Sequence, residues 1–357
     1  MKEFTNVIKI ENPDLIKNSV YFDIETTGFA PASTNIYLIG CIYEKDGNYY
    51  LSQFFAEDVM DEAELITSFF DIIKDYSNLI HYNGSGFDIP YIIKKCDFLG
   101  IPCDFNGINS IDIYKAIQPV KSLFKLPNLK QKTIEEFFNI KREDKYSGGE
   151  LINVYNSYLK KPDNELLDIL LCHNREDVYN MTTICPIMNY SCLLEDGFKV
   201  ESIYDKDSHT TNMLPKKEIY ITLKTDKNVP VRTSIGNDKF YFTIYRNTAR
   251  VCIQAYTDEL KYFYPNYNDY YYLPNEDCAI HKSVAFYVDK NFRTKAKAAN
   301  CYSKKTGVFL PQYSEIITPY FKIDYFDKIS YFEYTDEFKS DTTLICKYVN
   351  HILKTLL

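Results

Sequence analysis

The chain has 357 residues, no Trp, five His and ten Cys, and none of the Cys forms a Cys-x-x-Cys pair. So few imidazoles and unpaired thiols argue against a zinc cluster. In a chain this long they also argue against a disulfide scaffold. No apolar run reaches the about 18 residues of a membrane-spanning helix. The opening Met1-Lys2-Glu3-Phe4-Thr5-Asn6 is too polar for a secretory leader. The expectation is a soluble, reduced, cytoplasmic protein with no membrane partner. Low-complexity tracts and repeats are absent too. Positive charge is in deficit, with a net charge of −8, which is not the bulk signature of a nucleic-acid binder. The deficit is uneven, because residues 205–310 carry 17 Lys plus Arg against 11 Asp plus Glu, a balance of +6 that leaves −14 elsewhere. Hydrophobic content of 45% is ample for a core, and the length leaves room for two domains.

What is present is a set of three acidic motifs in order. The first lies in Ser19-Val-Tyr-Phe-Asp-Ile-Glu-Thr-Thr-Gly28, which reads as a strand ending in a glycine turn. Alternation puts Asp23 and Glu25 on one side and Phe22 and Ile24 on the other. Two adjacent carboxylates repel unless a cation lies between them, and oxygen ligands suit Mg²⁺ or Mn²⁺. Alone, the pattern equally fits a half-exposed edge strand. The second motif, His81-Tyr-Asn-Gly-Ser-Gly-Phe-Asp-Ile-Pro-Tyr91, ends where a helix begins. An N-cap role would explain Asp88 and Pro90 but not Asn83, two glycines and Phe87 before them. The third, Cys172-His-Asn-Arg-Glu-Asp-Val178, sits in a helical stretch from Glu165 to Cys185. His173 and Asp177 are four apart and share a face, which as a lone pair is also an ordinary surface contact. Glu176 is a rival but points about a quarter-turn away.

These segments resemble the three exonuclease motifs of the DEDD superfamily of 3′–5′ exonucleases, which share the ribonuclease H-like fold. The second is similar to the matching motif in proofreading domains of B-family DNA polymerases. Leu126 to Arg142, then Tyr146-Ser-Gly-Gly149, then the third motif, resemble the linking region of YprB-type ribonuclease H-like domains. The resemblance covers roughly residues 19–190. It implies Asp23, Glu25, Asp88 and Asp177 as the metal carboxylates and His173 as general base. The chain departs in placing a histidine at the three-residue spacing of the tyrosine subtype. It departs again at Tyr146-Ser-Gly-Gly149, read as a turn.

The implied chemistry is hydrolysis of DNA or RNA phosphodiesters from a single-stranded 3′ end. Two Mg²⁺ or Mn²⁺ ions about 3.5–4 Å apart would clamp the phosphate and generate hydroxide. Asp23 would bridge both ions, Glu25 and Asp177 would complete the first site, and Asp88 would hold the second. An imidazole can take the water's proton near neutral pH. Asn83 and Phe87 would shape the pocket, and Tyr91, like Tyr82, would either stack on a terminal base or pack. The alternative is a ribonuclease H-like module that binds nucleic acid or a partner without cutting.

The expected architecture is α/β. Residues 1–195 form a ribonuclease H-like mixed sheet flanked by helices, and residues 200–357 form a second, α+β domain. Strands are expected near 19–25, 35–43, 48–55, 78–82 and 108–112, with a hairpin turn at Lys45-Asp-Gly-Asn48. Helices are expected near 61–75, 88–99, 130–138 and 163–185. After Asp196-Gly197, Lys217–Leu223, Phe240–Arg246 and Arg250–Tyr256 read as β. A Tyr-rich loop follows at Tyr262–Leu273, then a helix from Ala279 to Ala299 bearing Lys282, Lys290, Arg293, Lys295 and Lys297. Basic residues beside tyrosines suit a single-strand groove, or a solvated helix beside packed rings. Thr342–Leu356 has Ile345, Val349, Ile352 and Leu356 at helical spacing, a core-facing helix.

Overall fold

The computed structural model describes residues 1–12, 16–195, 197–208 and 216–357. Two compact units emerge, Met1–Lys121 with Lys125–Ser191, and Ser122–Phe124 with Cys192–Leu357. Asp196, at the expected change of character, lies outside the described residues.

The first unit is built on six strands, β1 (Lys2–Ile8), β2 (Ser19–Thr26), β3 (Ile36–Lys45), β4 (Asn48–Phe55), β5 (Asn78–His81) and β6 (Asn109–Asp112). Their order in the sheet is β1-β4-β3-β2-β5-β6. The first four pair antiparallel, and β2, β5 and β6 run parallel, so the sheet is mixed. Asp46 and Gly47 have φ of 52° and 77°, the left-handed pair that a two-residue hairpin between β3 and β4 requires. Helices α1 (Glu62–Ile73), α2 (Asp88–Leu99), α3 (Ile113–Ile117), α4 (Gln131–Phe137), α5 (Gly148–Lys160) and α6 (Asn164–Ile184) accompany the sheet. The core joins sheet residues such as Val20, Phe22 and Leu38 to Leu65 and Phe69 of α1, Ile92 of α2 and Leu170 of α6.

Three elements were not anticipated. β1 is a mostly exposed edge strand without a long apolar face. α3 is a short helix capped by Asp112, which accepts from the Lys115 amide. α5 begins where a turn was expected. Ser147 and Glu150 form a reciprocal capping box that satisfies amides of the first turn, so the two glycines open a helix.

The second unit is α+β. Strands β7 (Lys199–Ser208), β8 (Lys216–Gly236) and β9 (Phe240–Gln254) form one antiparallel sheet. The separate β segments read at 240–246 and 250–256 are one strand through Gln254, with Arg246 at φ 51° where the register shifts. Tyr256 opens the next strand, β10 (Tyr256–Phe263). Further strands are β11 (Tyr270–Leu273), β12 (Cys278–His281), β13 (Thr294–Lys295), β14 (Tyr302–Gln312), β15 (Tyr320–Phe321) and β16 (Ser330–Glu333). The Tyr-rich stretch is thus partly strand. The C-terminal helix, here called the closing helix (Thr342–Leu356), buries Ile345, Tyr348, Val349 and Ile352, as a core-facing helix should, while Leu356 is half-buried.

The expected helix over 279–299 does not exist. β12 gives way to one helical turn at Lys282–Ala285, a 3₁₀ turn at Lys290–Phe292 and the short β13. The physical reason is local competition. His281 caps only the single helical turn at Lys282–Ala285 by accepting from the Ser283 amide, and Asp289 accepts from the Asn291 amide as the cap of a new 3₁₀ turn, so the chain restarts there instead of continuing one helix. Nor is there an apolar stripe to bury, since Phe286 and Tyr287 are exposed. Lys290, Arg293, Lys295 and Lys297 therefore share no helical face. Arg293 places its guanidinium 4.9 Å from the Tyr271 ring centroid, and Lys282 pairs with Asp269 at 2.6 Å.

Candidate active site

Asp23 and Glu25 stand on the central strand β2, opposite Gly40 and Leu38 of β3. Helix α6 packs over this face through Asn174, which is wholly buried. Its amide nitrogen lies 3.3 Å from both the carbonyl and the carboxylate Oδ2 of Asp23, and its Oδ1 accepts from Gln53 at 3.0 Å. Gly40 is required beneath it, because a Cβ there would collide with the Asn174 amide. Glu25 receives the Tyr37 hydroxyl at 3.4 Å, and Tyr37 is stacked on Tyr155 at 4.3 Å.

Asp88 is the first residue of α2, yet it does not act as its cap. The N-cap position is Phe87, and the Asp88 carboxylate accepts from the Ile24 amide of β2 at 3.3 Å. The loop before it is pinned from β6. Asp112 accepts from the amides of Asn83 and Ser85 and from the Ser85 hydroxyl. Asn83 takes φ of 61°, and a Cβ on Gly84 would stand 2.7 Å from the His81 ring. Asn83 and Gly84 are therefore turn-forming residues. Tyr91 is buried and its hydroxyl meets Thr34 at 2.6 Å, so its ring is wall and offers no face to a base. Phe87 is half-buried, with the exposed Phe29 edge-on to it at 6.0 Å. Phe29 was not singled out in the sequence.

His173 and Asp177 come together on α6, with Nε2 3.2 Å from Asp177 Oδ2 and 3.5 Å from Glu25 Oε1. The other ring nitrogen is held by Asp144, with Nδ1 2.8 Å from Oδ2. Carboxylates thus face both ring nitrogens, an arrangement that favours the doubly protonated imidazolium. Arg142 is a second unanticipated residue. Its guanidinium, 8% exposed, reaches Asp177 at 2.6 Å, Glu135 at 3.1 Å and Glu176 at 3.3 Å. Glu176 also accepts from the Glu143 and Asp144 amides, so its role is to hold the segment that carries Arg142 and Asp144.

The electrostatics follow from this crowding. Burial, then the charges of Asp177, Asp88 and Glu25, hold Asp23 well above the usual carboxylate range. Burial pushes Glu25 up to about 7 against the opposing charge of His173. Burial likewise pushes Asp88 up to about 7, against its backbone hydrogen bonds. Burial also disfavours Asp177, but the hydrogen bond and charge of His173 and the charge of Arg142 win, and its carboxyl lies below the usual range. Burial disfavours the His173 cation, yet Asp177, Glu25 and Asp144 raise it to about 9.

Three carboxylates raised by burial and mutual repulsion form a site short of positive charge. Glu25, His173 and Asp177 present ligand atoms within 4.8 Å of one another. The two carboxylates are hard oxygen donors of the kind that suits Mg²⁺ and Mn²⁺, and the imidazole beside them is a borderline nitrogen donor. Lys290, Arg293, Lys295 and Lys297 belong to the second unit. Among the described residues no helix is long and apolar enough to cross a membrane.

Residues 20–189 match the family model of the RNase_H superfamily, and this stretch has the ribonuclease H-like fold. DNA polymerase 1 of Sulfurisphaera ohwakuensis is 40% identical over 72 residues, a match taking in 17% of this chain and 8% of that protein. The chain thus spans under a tenth of that relative's length. The family B DNA polymerase of Pyrobaculum calidifontis is similar at 17% identity and a TM-score of 0.40, over 68% of this chain and 33% of that one. Exonuclease I of E. coli in complex with a dA16 oligonucleotide is similar at 9% identity and a TM-score of 0.29, over 59% and 55% of the two chains.

Proposed function

We propose that the chain is a metal-dependent 3′–5′ exonuclease of the DEDD type, with its catalytic centre in residues 1–195 and a strand-binding domain in residues 200–357. One observation carries the reading. The carboxylates of Asp23, Glu25, Asp88 and Asp177, from β2, α2 and α6, act on one another's charge, and His173, held at its far nitrogen by Asp144 at 2.8 Å, lies 3.2 Å from Asp177 and 3.5 Å from Glu25. Burying so much like charge is costly unless a cation answers it. The superfamily match and the 72-residue likeness to a DNA polymerase support the same reading.

Two divalent cations held by Asp23, Glu25, Asp88 and Asp177 would supply Lewis-acid activation of water and charge neutralisation at the phosphate. The chain's own residues do the rest. Asn174 and Gln53 fix Asp23, and Tyr37 fixes Glu25. Asp144 holds His173 with Nε2 directed at the carboxylates. Neutralising Asp177 and Glu25 would weaken the causes that raise His173 while burial goes on disfavouring its cation, so its imidazole would fall from about 9 and could accept a proton at Nε2.

A second reading draws on Arg142. A guanidinium 2.6 Å from Asp177 could stand in for a cation, which would leave a module that binds nucleic acid without cutting. Incubation with end-labelled DNA and RNA strands and Mg²⁺ or Mn²⁺ separates the two. The exonuclease reading expects a ladder of shortened products from a 5′-labelled strand, immediate release of a 3′ label, and neither with Asp23→Asn. No cleavage with either metal, or equal cleavage by Asp23→Asn, overturns it.

A further inference from the structure

The second unit holds a cavity of about 650 Å³ near the end of β10, well away in sequence from the acidic motifs. Its size suits a nucleotide, since small-ligand sites run from about 300 to 1,000 Å³. Its walls are unusual in being mostly aromatic faces, among them Tyr264, Tyr267, Tyr320 and Tyr325. Neighbouring rings brace two of them. Tyr264 is stacked on Tyr270 at 4.5 Å and 16°. Tyr325 is held edge-on by Phe263 at 5.3 Å and by Phe326 at 5.1 Å. Rings fixed this way are preformed platforms, and ordering them for a ligand costs little.

The charged groups in the lining are two. Lys322 supplies an ammonium, and Glu315 supplies an acceptor that also takes the Tyr320 hydroxyl. A nucleobase has the matching features, two π faces and an edge of donors and acceptors, with an anionic phosphate beside it. We propose that this cavity binds one unpaired nucleobase of a single-stranded nucleic acid between its tyrosine faces, with Lys322 on the adjoining phosphate. The identity of the polymer rests on the nuclease reading; the stacking chemistry does not.

The test uses the full chain without divalent metal and a dye-labelled single strand of about 12 deoxyadenylates, within the span that such folds cover. The probe is compared with a strand of equal length and charge in which the bases are replaced by abasic residues. Stacking predicts that the wild type binds the base-bearing strand roughly 5- to 150-fold more tightly for each base held. Tyr264→Ala should lose that preference and bind both strands alike. Equal wild-type affinity for the two strands overturns the proposal, and this arm needs no variant that must fold. A base preference undiminished in both Tyr264→Ala and Tyr325→Ala overturns it as well. The nuclease reading fails separately: a chain that shows the base preference but never cleaves with Mn²⁺ keeps the cavity and loses the exonuclease.

Discussion

The two units treat charge in opposite ways. In the first, carboxylates are buried together, Glu25 and Asp88 are 8% and 7% exposed, and the answering cations Arg142 and His173 are buried with them. In the second, ions meet at the surface, as Lys305 does with Glu333 at 2.5 Å and Lys199 with Asp226 at 2.8 Å. Exposed pairs contribute about 0–1 kcal/mol, whereas a buried pair that loses one partner costs roughly 3–5 kcal/mol. A fold does not need the first arrangement to stand. Its presence is therefore informative about chemistry, and the surface pairs are not.

Breaking the acidic cluster gives the largest effect. Asp23→Asn should abolish hydrolysis and, by removing buried like charge, raise the melting temperature of the metal-free chain. Calorimetry beside the cleavage assay checks both halves; a lower melting temperature would show that Asp23 is a structural residue. His173→Ala should slow turnover by roughly 10²–10⁴-fold, the usual contribution of a general base. Asp144→Asn should slow it by about 10–100-fold, as loss of an orienting partner does. Rates for Asp144→Asn equal to the wild type would leave the contact at His173 Nδ1 without a role.

Arg142→Ala attacks the other side of the same balance. It leaves Glu135, whose side chain is 1% exposed, without a cation and takes one from Asp177, and should cost roughly 3–5 kcal/mol in denaturant unfolding. Lys305→Ala, its surface counterpart, should cost less than about 1 kcal/mol. Similar losses from the two would erase the contrast between the units.

Acidity sharpens the comparison further. Glu25 and Asp88 are raised to about 7 in the folded chain, above their ordinary values. Their contribution to the metal-free protein is full below about pH 4 and is lost as pH rises through about 7, when the fold must ionise them. His173, raised to about 9, acts in the same sense, its contribution present below about 6.5 and lost on the way to 9. Below about pH 6.5 the lowered His81 acts in the opposite sense, so the test window is from about 6.5 to 9, where the melting temperature of the metal-free chain should fall and saturating Mn²⁺ should flatten the fall. A rise with pH over that window in the metal-free chain would contradict the charge assignment.

Local pattern made much of this site legible. Alternation placed Asp23 and Glu25 together, and the start of α2 at Asp88 and the i,i+4 spacing of His173 and Asp177 are written in neighbouring residues. The supporting shell is not. Asn174 reaches Asp23 from 151 positions away, and Arg142 reaches Asp177 from 35, distances over which no periodicity speaks. The capping box at Ser147 and Glu150 was readable and shows α5 beginning where a turn was expected. Residues 279–299 misled because basic residues at roughly helical spacing do not make a helix without an apolar face, and Phe286 and Tyr287 are 77% and 86% exposed.

Counting bound Mn²⁺ by electron paramagnetic resonance, at a pH above about 7 where the carboxylates ionise, addresses the central claim directly. The account predicts two ions per wild-type chain, which Asp23, Glu25, Asp88 and Asp177 would hold, and loss of that binding in Asp23→Asn. A wild-type chain that takes up no Mn²⁺ until Arg142 is replaced would show that the guanidinium is the site's own cation, and that the cluster is not a nuclease centre.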